Sequence, residues 1–206
     1  MMCLPASIGL LRPHGSTPPS STTWNPADKA SEIDLSLDLL TAARTATNNN
    51  QWRLLRSTDA HDAGKYYAEI ENQTSVPNSL MVGLAPGSLS VNTYPGSSAD
   101  SFGYHCNDSS PGYCYNGGAQ YYGDGQLVAN SSRARIAVDF DAGYVWLGNL
   151  TSWKNGGDPA AGTSPTFTFT PNTELYIATG MYISPQQAWL RVTGFSGSVP
   201  TGFSAW

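Results

Sequence analysis

Three groups of residues have the types and spacing for chemistry. Asp139 and Asp141 stand two positions apart in a segment that alternates apolar and polar residues. On a strand their carboxylates share one face, the equipment a glycosidase needs. The structural reading is that they cap and solvate a hairpin, since Asp141 opens an Asp141-Ala142-Gly143 turn. His61 lies between Asp59 and Asp62, an arrangement that orients an imidazole base. No G-x-S-x-G nucleophile accompanies it, so a place on a loop surface is the simpler expectation. His105, Cys106, Asp108 and Cys114 form a loose N/S/O cluster. A structural zinc site wants about four ligands at tight spacing, whereas the two cysteines are separated by seven residues. A Cys106–Cys114 disulfide, two free thiols and a metal therefore stay open as alternatives, with no metal or cofactor assigned. The disulfide requires an oxidising compartment. Asp28, Asp34 and Asp38 read as solubility charges.

These groups must be positioned by a scaffold, and composition narrows which. Of 206 residues only 12% are charged, roughly half the ordinary share. Hydrophobic residues make up 40% and aromatic ones 11%, which excludes an intrinsically disordered chain. Gly, Ser, Thr, Asn and Tyr dominate over Ala, Glu, Lys and Leu, which excludes a long-helix protein. The net charge of -5, with Lys and Arg scattered singly, argues against nucleic acid as a partner. No run of ~18 apolar residues is present, so no membrane insertion through a helix is expected. The apolar stretch Ile8–Leu11 is short and lacks a basic lead, unlike a signal peptide.

Strand patterns follow. Ile33, Leu35 and Leu37 alternate with polar residues, and residues 39–46 and Trp52–Arg56 flank an Asn48-Asn49-Asn50 turn. In Lys65–Glu71, Tyr66, Ala68 and Ile70 share one face, and Tyr67, Glu69 and Glu71 the other. Leu80–Ala85 is an apolar run suited to a strand buried on both faces. Arg133–Phe140 and Tyr144–Leu147 form a hairpin around the Asp141 turn. Residues 166–170, 174–183 and 188–193 supply further strands. The fold class is all-β, a two-layer antiparallel sandwich. Residues 1–23, rich in Pro, Ser and Thr, form an extended arm, and residues 24–206 the sandwich.

The stretch from Pro86 to Gly125 has little aliphatic periodicity and many tyrosines among Gly, Ser, Asn and Asp. It is expected to be a long functional loop. Tyr with small polar residues is the composition of binding loops. Tyr94, Tyr104, Tyr113, Tyr115, Tyr122 and, in a later loop, Trp153 are the candidate ligand-binding residues. Trp24, Trp52, Trp146 and Trp189 are expected to be core or sheet-facing. Four Asn-x-Ser/Thr sequons are explained by composition.

Several segments together resemble the SPRY (B30.2-like) family. Gly64-Lys65-Tyr66-Tyr67-Ala68-Glu69-Ile70 is similar to the family's opening GKWYFEV-type strand, and Met81-Val82-Gly83-Leu84-Ala85 to the next. Phe102-Gly103-Tyr104 and Tyr122-Gly123-Asp124-Gly125 resemble its GY and GD segments. Residues 136–146 resemble its DFDAGKVW hairpin. Asn149–Trp153 and Gly157-Asp158-Pro159 resemble the NG-W-GDP variant of phage and bacterial members. Ala68 replaces a usual Phe, and Gln126–Ser132 stretches one spacing.

The resemblance implies a bent antiparallel β-sandwich of the concanavalin-like jelly-roll kind and a binding module without enzymatic activity. It further implies a phage virion component, as capsid decoration or tail-fibre adhesion protein, in multiple copies or as a homo-oligomer. Residues 1–23 would dock onto other virion proteins, and the loops would meet a host-surface protein or glycan. A secreted or cell-surface lectin-like domain is the alternative, and a glycosidase the third reading. From Gly157 to Trp206 only Asp158, Glu174 and Arg191 are charged, which suggests that neighbouring chains cover this region.

Overall fold

The computed structural model describes residues 22–45, 50–74, 76–106, 112–123 and 128–206. Among them the chain forms fifteen strands and a single 3-10 turn at Lys154–Gly156. The first half carries β1 (Trp24–Lys29), β2 (Ile33–Leu35), β3 (Thr41–Arg44), β4 (Arg53–His61), β5 (Lys65–Asn72) and β6 (Leu80–Ala85). The middle adds β7 (Phe102–Cys106), β8 (Cys114–Asn116), β9 (Ala119–Tyr121), β10 (Arg133–Asp139) and β11 (Tyr144–Asn149). The chain closes with β12 (Phe167–Thr168), β13 (Leu175–Met181), β14 (Gln187–Arg191) and β15 (Ser204–Ala205). No helix among the described residues is long and apolar enough to cross a membrane.

The strands form two sheets. One runs β1-β4-β13-β6-β7-β8-β9, and the other β12-β11-β10-β5-β14-β3-β2 with β15 added beside β5. All pairings are antiparallel except β15 with β5. The core lies between them. Ala68 and Ile70 of β5 and Ile136 and Val138 of β10 meet Val82 and Leu84 of β6 and Ile177 of β13 there. Each such side chain contributes roughly 1.5–3 kcal/mol on burial.

The period of two places Tyr67 and Glu69 on the opposite face of β5, yet both are fully buried. The C-terminal segment covers them. Phe195 packs edge-on against Tyr67 with ring centroids 4.9 Å apart. The backbone N–H groups of Ser196 and Gly197 donate to the Glu69 carboxylate at 3.0 and 2.7 Å, and Trp206 is buried beside Phe140. Part of the uncharged C-terminal segment is thus covered by the chain's own second sheet, a packing the sequence reading had assigned to neighbours.

Two expectations need correction. The Pro86–Gly125 stretch is not one long loop, since it contains β7, β8 and β9. In β7 the inward positions are Phe102, Tyr104 and Cys106 and the outward ones Gly103 and His105, so the alternation carries no aliphatic signal. The strand expected over residues 33–37 ends at Leu35, and Leu37 is fully exposed in a turn closed by the Ser36 N–H to the Thr41 carbonyl at 2.9 Å. Thr22 and Thr23, counted with the arm, are already tied to β4. Thr22 donates to Asp59 at 2.6 Å, and Thr58 N–H donates to the Thr23 carbonyl at 2.8 Å. The remainder of the arm, the Asn48-Asn49 positions of the first turn, Asp108 and the Asp124-Gly125 pair lie outside the described residues.

Candidate functional site

The residues nominated for catalysis are committed to structure. Asp139 pairs with Lys65 at 2.8 Å and accepts the Ala142 N–H at 3.0 Å. Asp141 accepts the Gly64 N–H at 2.9 Å, tying the hairpin to the start of β5. His61 stacks on Tyr66 with centroids 3.6 Å apart and meets Trp206 edge-on. Burial holds this imidazole below its ordinary pKa despite Asp59 and Asp62. Asp28 is a correction to the solubility reading, because it accepts two hydrogen bonds from Arg56 at 2.7 and 2.8 Å.

The His/Cys cluster does not assemble. His105 and Cys106 are consecutive on β7, so they point to opposite faces. Cys106 and Cys114 point into the core and are not joined by a disulfide, which corrects the disulfide alternative. Cys114 faces Tyr104 across the ladder. That makes Cys106 its diagonal neighbour, a relation that spans about 7–8 Å and exceeds disulfide geometry. Burial pushes the Cys106 thiol well above its usual range.

The six aromatic candidates separate. Tyr104 is fully buried under Lys154, whose ammonium sits 4.9 Å from its ring, so it is core and not a ligand contact. Tyr113 is half-buried, and its ring closely approaches Gly123. Tyr122 is exposed near Tyr121 and Phe167 at the edge of the first sheet. Trp153 lies on the outside of the second sheet, with the Arg135 guanidinium 4.2 Å from its ring. Tyr94 and Tyr115 do meet, edge-on at 6.0 Å.

They belong to an aromatic cluster centred on Trp52. Trp52 is 5.4 Å from Tyr94, 5.2 Å from Tyr182 and 5.7 Å from His105, centroid to centroid. Tyr115 completes it, 6.1 Å from His105. Above this cluster opens a cleft of about 620 Å³, within the ordinary range for small-molecule sites. Three chain segments line it. The approach to β4 gives Asn50, Gln51 and Trp52, followed by Arg53; the β6–β7 connection gives Asn92, Thr93 and Tyr94; Tyr182 follows β13.

The scaffold explains why they meet. β4, β13 and β6 are neighbours, and Met181 pairs with both Arg53 and Leu80, so Tyr182 emerges beside Trp52. The β6–β7 connection folds back over the outer face of this sheet. Leu54 N–H donates to the Val91 carbonyl at 2.8 Å, and Leu89 packs on Leu54, Ala85 and Ala178. Gly103 and Gly180 permit the approach: a Cβ on Gly103 would stand 2.0 Å from the Pro95 carbonyl oxygen, and one on Gly180 3.1 Å from Tyr94.

Arg53 is the clamp. Its Nε donates to Glu32 at 2.6 Å, one Nη to the Trp52 carbonyl and the other to the Gln51 amide oxygen, each at 3.0 Å. Arg53 is 8% exposed and its charge is matched by Glu32. Among the described residues the cleft therefore offers ring faces, amides and hydroxyls with no uncompensated charge. Beneath it, burial lowers the His105 pKa, and a hydrogen bond to the backbone of Asn78 works against that.

Comparison with solved structures places this architecture. The SPRY domain of human HERC1 superimposes with a TM-score of 0.63 at 11% identity, covering 82% of this chain and 96% of that one. A human SPRY domain gives 0.57 at 18% identity, covering 80% and 98%. The TRIM65 PSpry domain gives 0.60 at 15% identity, covering 82% and 90%. The fold is SPRY-like. No family model matches the sequence, and no match is found among curated proteins.

On this SPRY-like sandwich the structure brings the candidates Tyr94 and Tyr115 into one aromatic cluster with Trp52, Tyr182 and His105, which were not nominated as ligand-binding residues, and of these Trp52, Tyr94 and Tyr182 line the cleft. Trp52 was expected to be core or sheet-facing, like the other large tryptophans. The available signal was its polar flank, Asn50 and Gln51 before it and Arg53 after it. Tyr182 carried no signal, since its position depends on where β13 ends against β4.

Proposed function

We propose that this chain is a non-enzymatic binding module of a phage virion, a capsid decoration or tail-fibre adhesion component. It presents the Trp52–Tyr94–Tyr182 cleft to its ligand, while its N-terminal arm attaches it to the assembly in multiple copies. The observation that carries the binding reading is the cleft itself, which sets the rings of Trp52, Tyr94 and Tyr182 beside the polar side chains of Asn50, Asn92 and Thr93. The commitment of Asp139, Asp141 and His61 to ion pairing, turn capping and stacking supports the absence of a reaction. Placement on a virion is supported by the resemblance of Asn149–Trp153 and Gly157-Asp158-Pro159 to the variant of this fold in phage and bacterial members.

The test is incorporation. Particles are purified from a phage carrying the intact reading frame and from one with residues 1–21 deleted, a deletion that leaves the Thr22–Asp59 contact in place. The intact chain should copurify with particles in multiple copies. The truncated chain should be lost from them while the isolated protein keeps its thermal unfolding midpoint. Particles without the intact chain, or full incorporation of the truncated one, would refute the placement.

A further inference from the structure

Resting on the binding-module reading of the cleft, we propose that its ligand is a neutral oligosaccharide, held by its pyranose rings against Trp52, Tyr94 and Tyr182. The argument starts from what lines the cleft and what does not. Its apolar surface is aromatic, with no Leu, Ile, Val or Met in the lining among the described residues. Ring faces carry partial negative charge, so they attract the polarised C–H groups of a sugar face. An aliphatic side chain of a peptide would instead be served by an aliphatic hole.

The polar complement fits the same chemistry. Asn50 and Asn92 offer amides that donate and accept at once, and Thr93, Tyr94 and Tyr182 offer hydroxyls with the same dual capacity. A sugar hydroxyl is likewise donor and acceptor, so such groups can pair with it in either sense. The Gln51 amide oxygen is occupied by Arg53, which fixes that amide and directs its NH2 as a donor.

Charge points the same way. Arg53, the one ionisable cation in the lining among the described residues, is spent on Glu32, on the Trp52 carbonyl and on Gln51. An acidic sugar or an acidic peptide would find no free cation among these lining residues. The rings are mutually tilted, 53° between Trp52 and Tyr94 and 46° between Trp52 and Tyr182. A single flat aromatic ligand cannot stack on all of them, whereas successive sugar rings joined at an angle can each meet one.

The experiment is binding of the full chain to an array that carries neutral hexose and N-acetylhexosamine oligosaccharides, sialylated and uronic-acid oligosaccharides, and uncharged and acidic peptides, read at low and at high salt. The expected result is retention on neutral oligosaccharides with no dependence on salt. Affinity should fall about tenfold or more, some 1.4 kcal/mol, in Trp52→Ala and in the milder Asn92→Ala. Asn92 is exposed, so that variant keeps the fold. Tyr121→Ala, on β9 against Phe167, should bind as the parent does. Peptide binding abolished by Trp52→Ala would overturn the saccharide and leave the cleft as the binding site. Preference for acidic sugars, with loss at high salt, would also overturn it. Oligosaccharide binding unchanged in both cleft variants, or no binding to any probe, would overturn the cleft reading as well.

Discussion

Replacing Glu32 with Gln removes the charge that holds Arg53 against the cleft. Arg53 in turn fixes the Trp52 carbonyl and the Gln51 side chain, so the perturbation reaches the rim of the binding site without touching a ligand contact. The hydrogen bond from Arg53 is the main influence that holds the Glu32 carboxyl down to about 2 from an ordinary 4.5; partial burial opposes it, and Ser31 adds to it. At about 1.36 kcal/mol per tenfold change in proton affinity, that displacement corresponds to at most about 3–4 kcal/mol. The Glu32 side chain remains 22% exposed, and solvent screening brings the contribution to about 1–2 kcal/mol. The folded-state pKa is depressed, so the unfolded chain takes up this proton first. The stabilisation is fully present above pH 4.5 and is lost as pH falls towards 2.

Thermal unfolding of parent and Glu32→Gln across that range reads the effect. At pH 7 the variant should unfold roughly 2–8 °C lower, and the gap should close as the pH approaches 2. Equal midpoints at pH 7 would refute the clamp. A gap that persists undiminished at pH 2 would show that the substitution acts through packing instead.

Three further outcomes follow from the same geometry. Trp206→Ala removes a buried indole that donates to the Asp59 carbonyl at 3.2 Å and packs on His61 and Phe140. Denaturant unfolding should record a loss of about 3–5 kcal/mol, and a loss below about 1 kcal/mol would contradict the docked C-terminal segment. In a variant whose third cysteine is removed, Cys3→Ser, Cys106 and Cys114 should resist an aromatic disulfide reagent in native buffer and react once denaturant is added, because both thiols are buried; prompt native reaction would overturn that placement. The His105 imidazole, its pKa lowered by burial, should remain neutral as pH falls through 6.5. The unfolded chain binds that proton first, so stability should decline below pH 6.5, and less steeply in His105→Gln. An NMR titration midpoint at or above 6.5 would count against the buried site.

Much of the scaffold is written locally. Alternation in residues 65–71 and 133–140 separates an inner from an outer face, and Asp141-Ala142-Gly143 marks the hairpin between β10 and β11. The six-residue apolar run at Leu80–Ala85 announces a strand covered on both sides. These are signals of period and turn chemistry, which act over a few residues and survive without knowledge of the rest of the chain. The motif order likewise points to the SPRY-like sandwich that the three-dimensional comparison supports.

The cleft was not open to that kind of reading. Trp52, Tyr94 and Tyr182 come from three distant segments, and they meet because β4 pairs with β13 and β13 with β6, an order that skips through the sequence. Tyr104, between the outward-facing Gly103 and His105, faces the core, and the sequence did not show it because the period of two on β7 has no aliphatic residues to mark its phase. The C-terminal segment looked bare of charge, and only its contacts with Tyr67 and Glu69 show why. Local pattern set which residues form strands and which face they take; the pairing of strands far apart in the chain set which side chains share a surface.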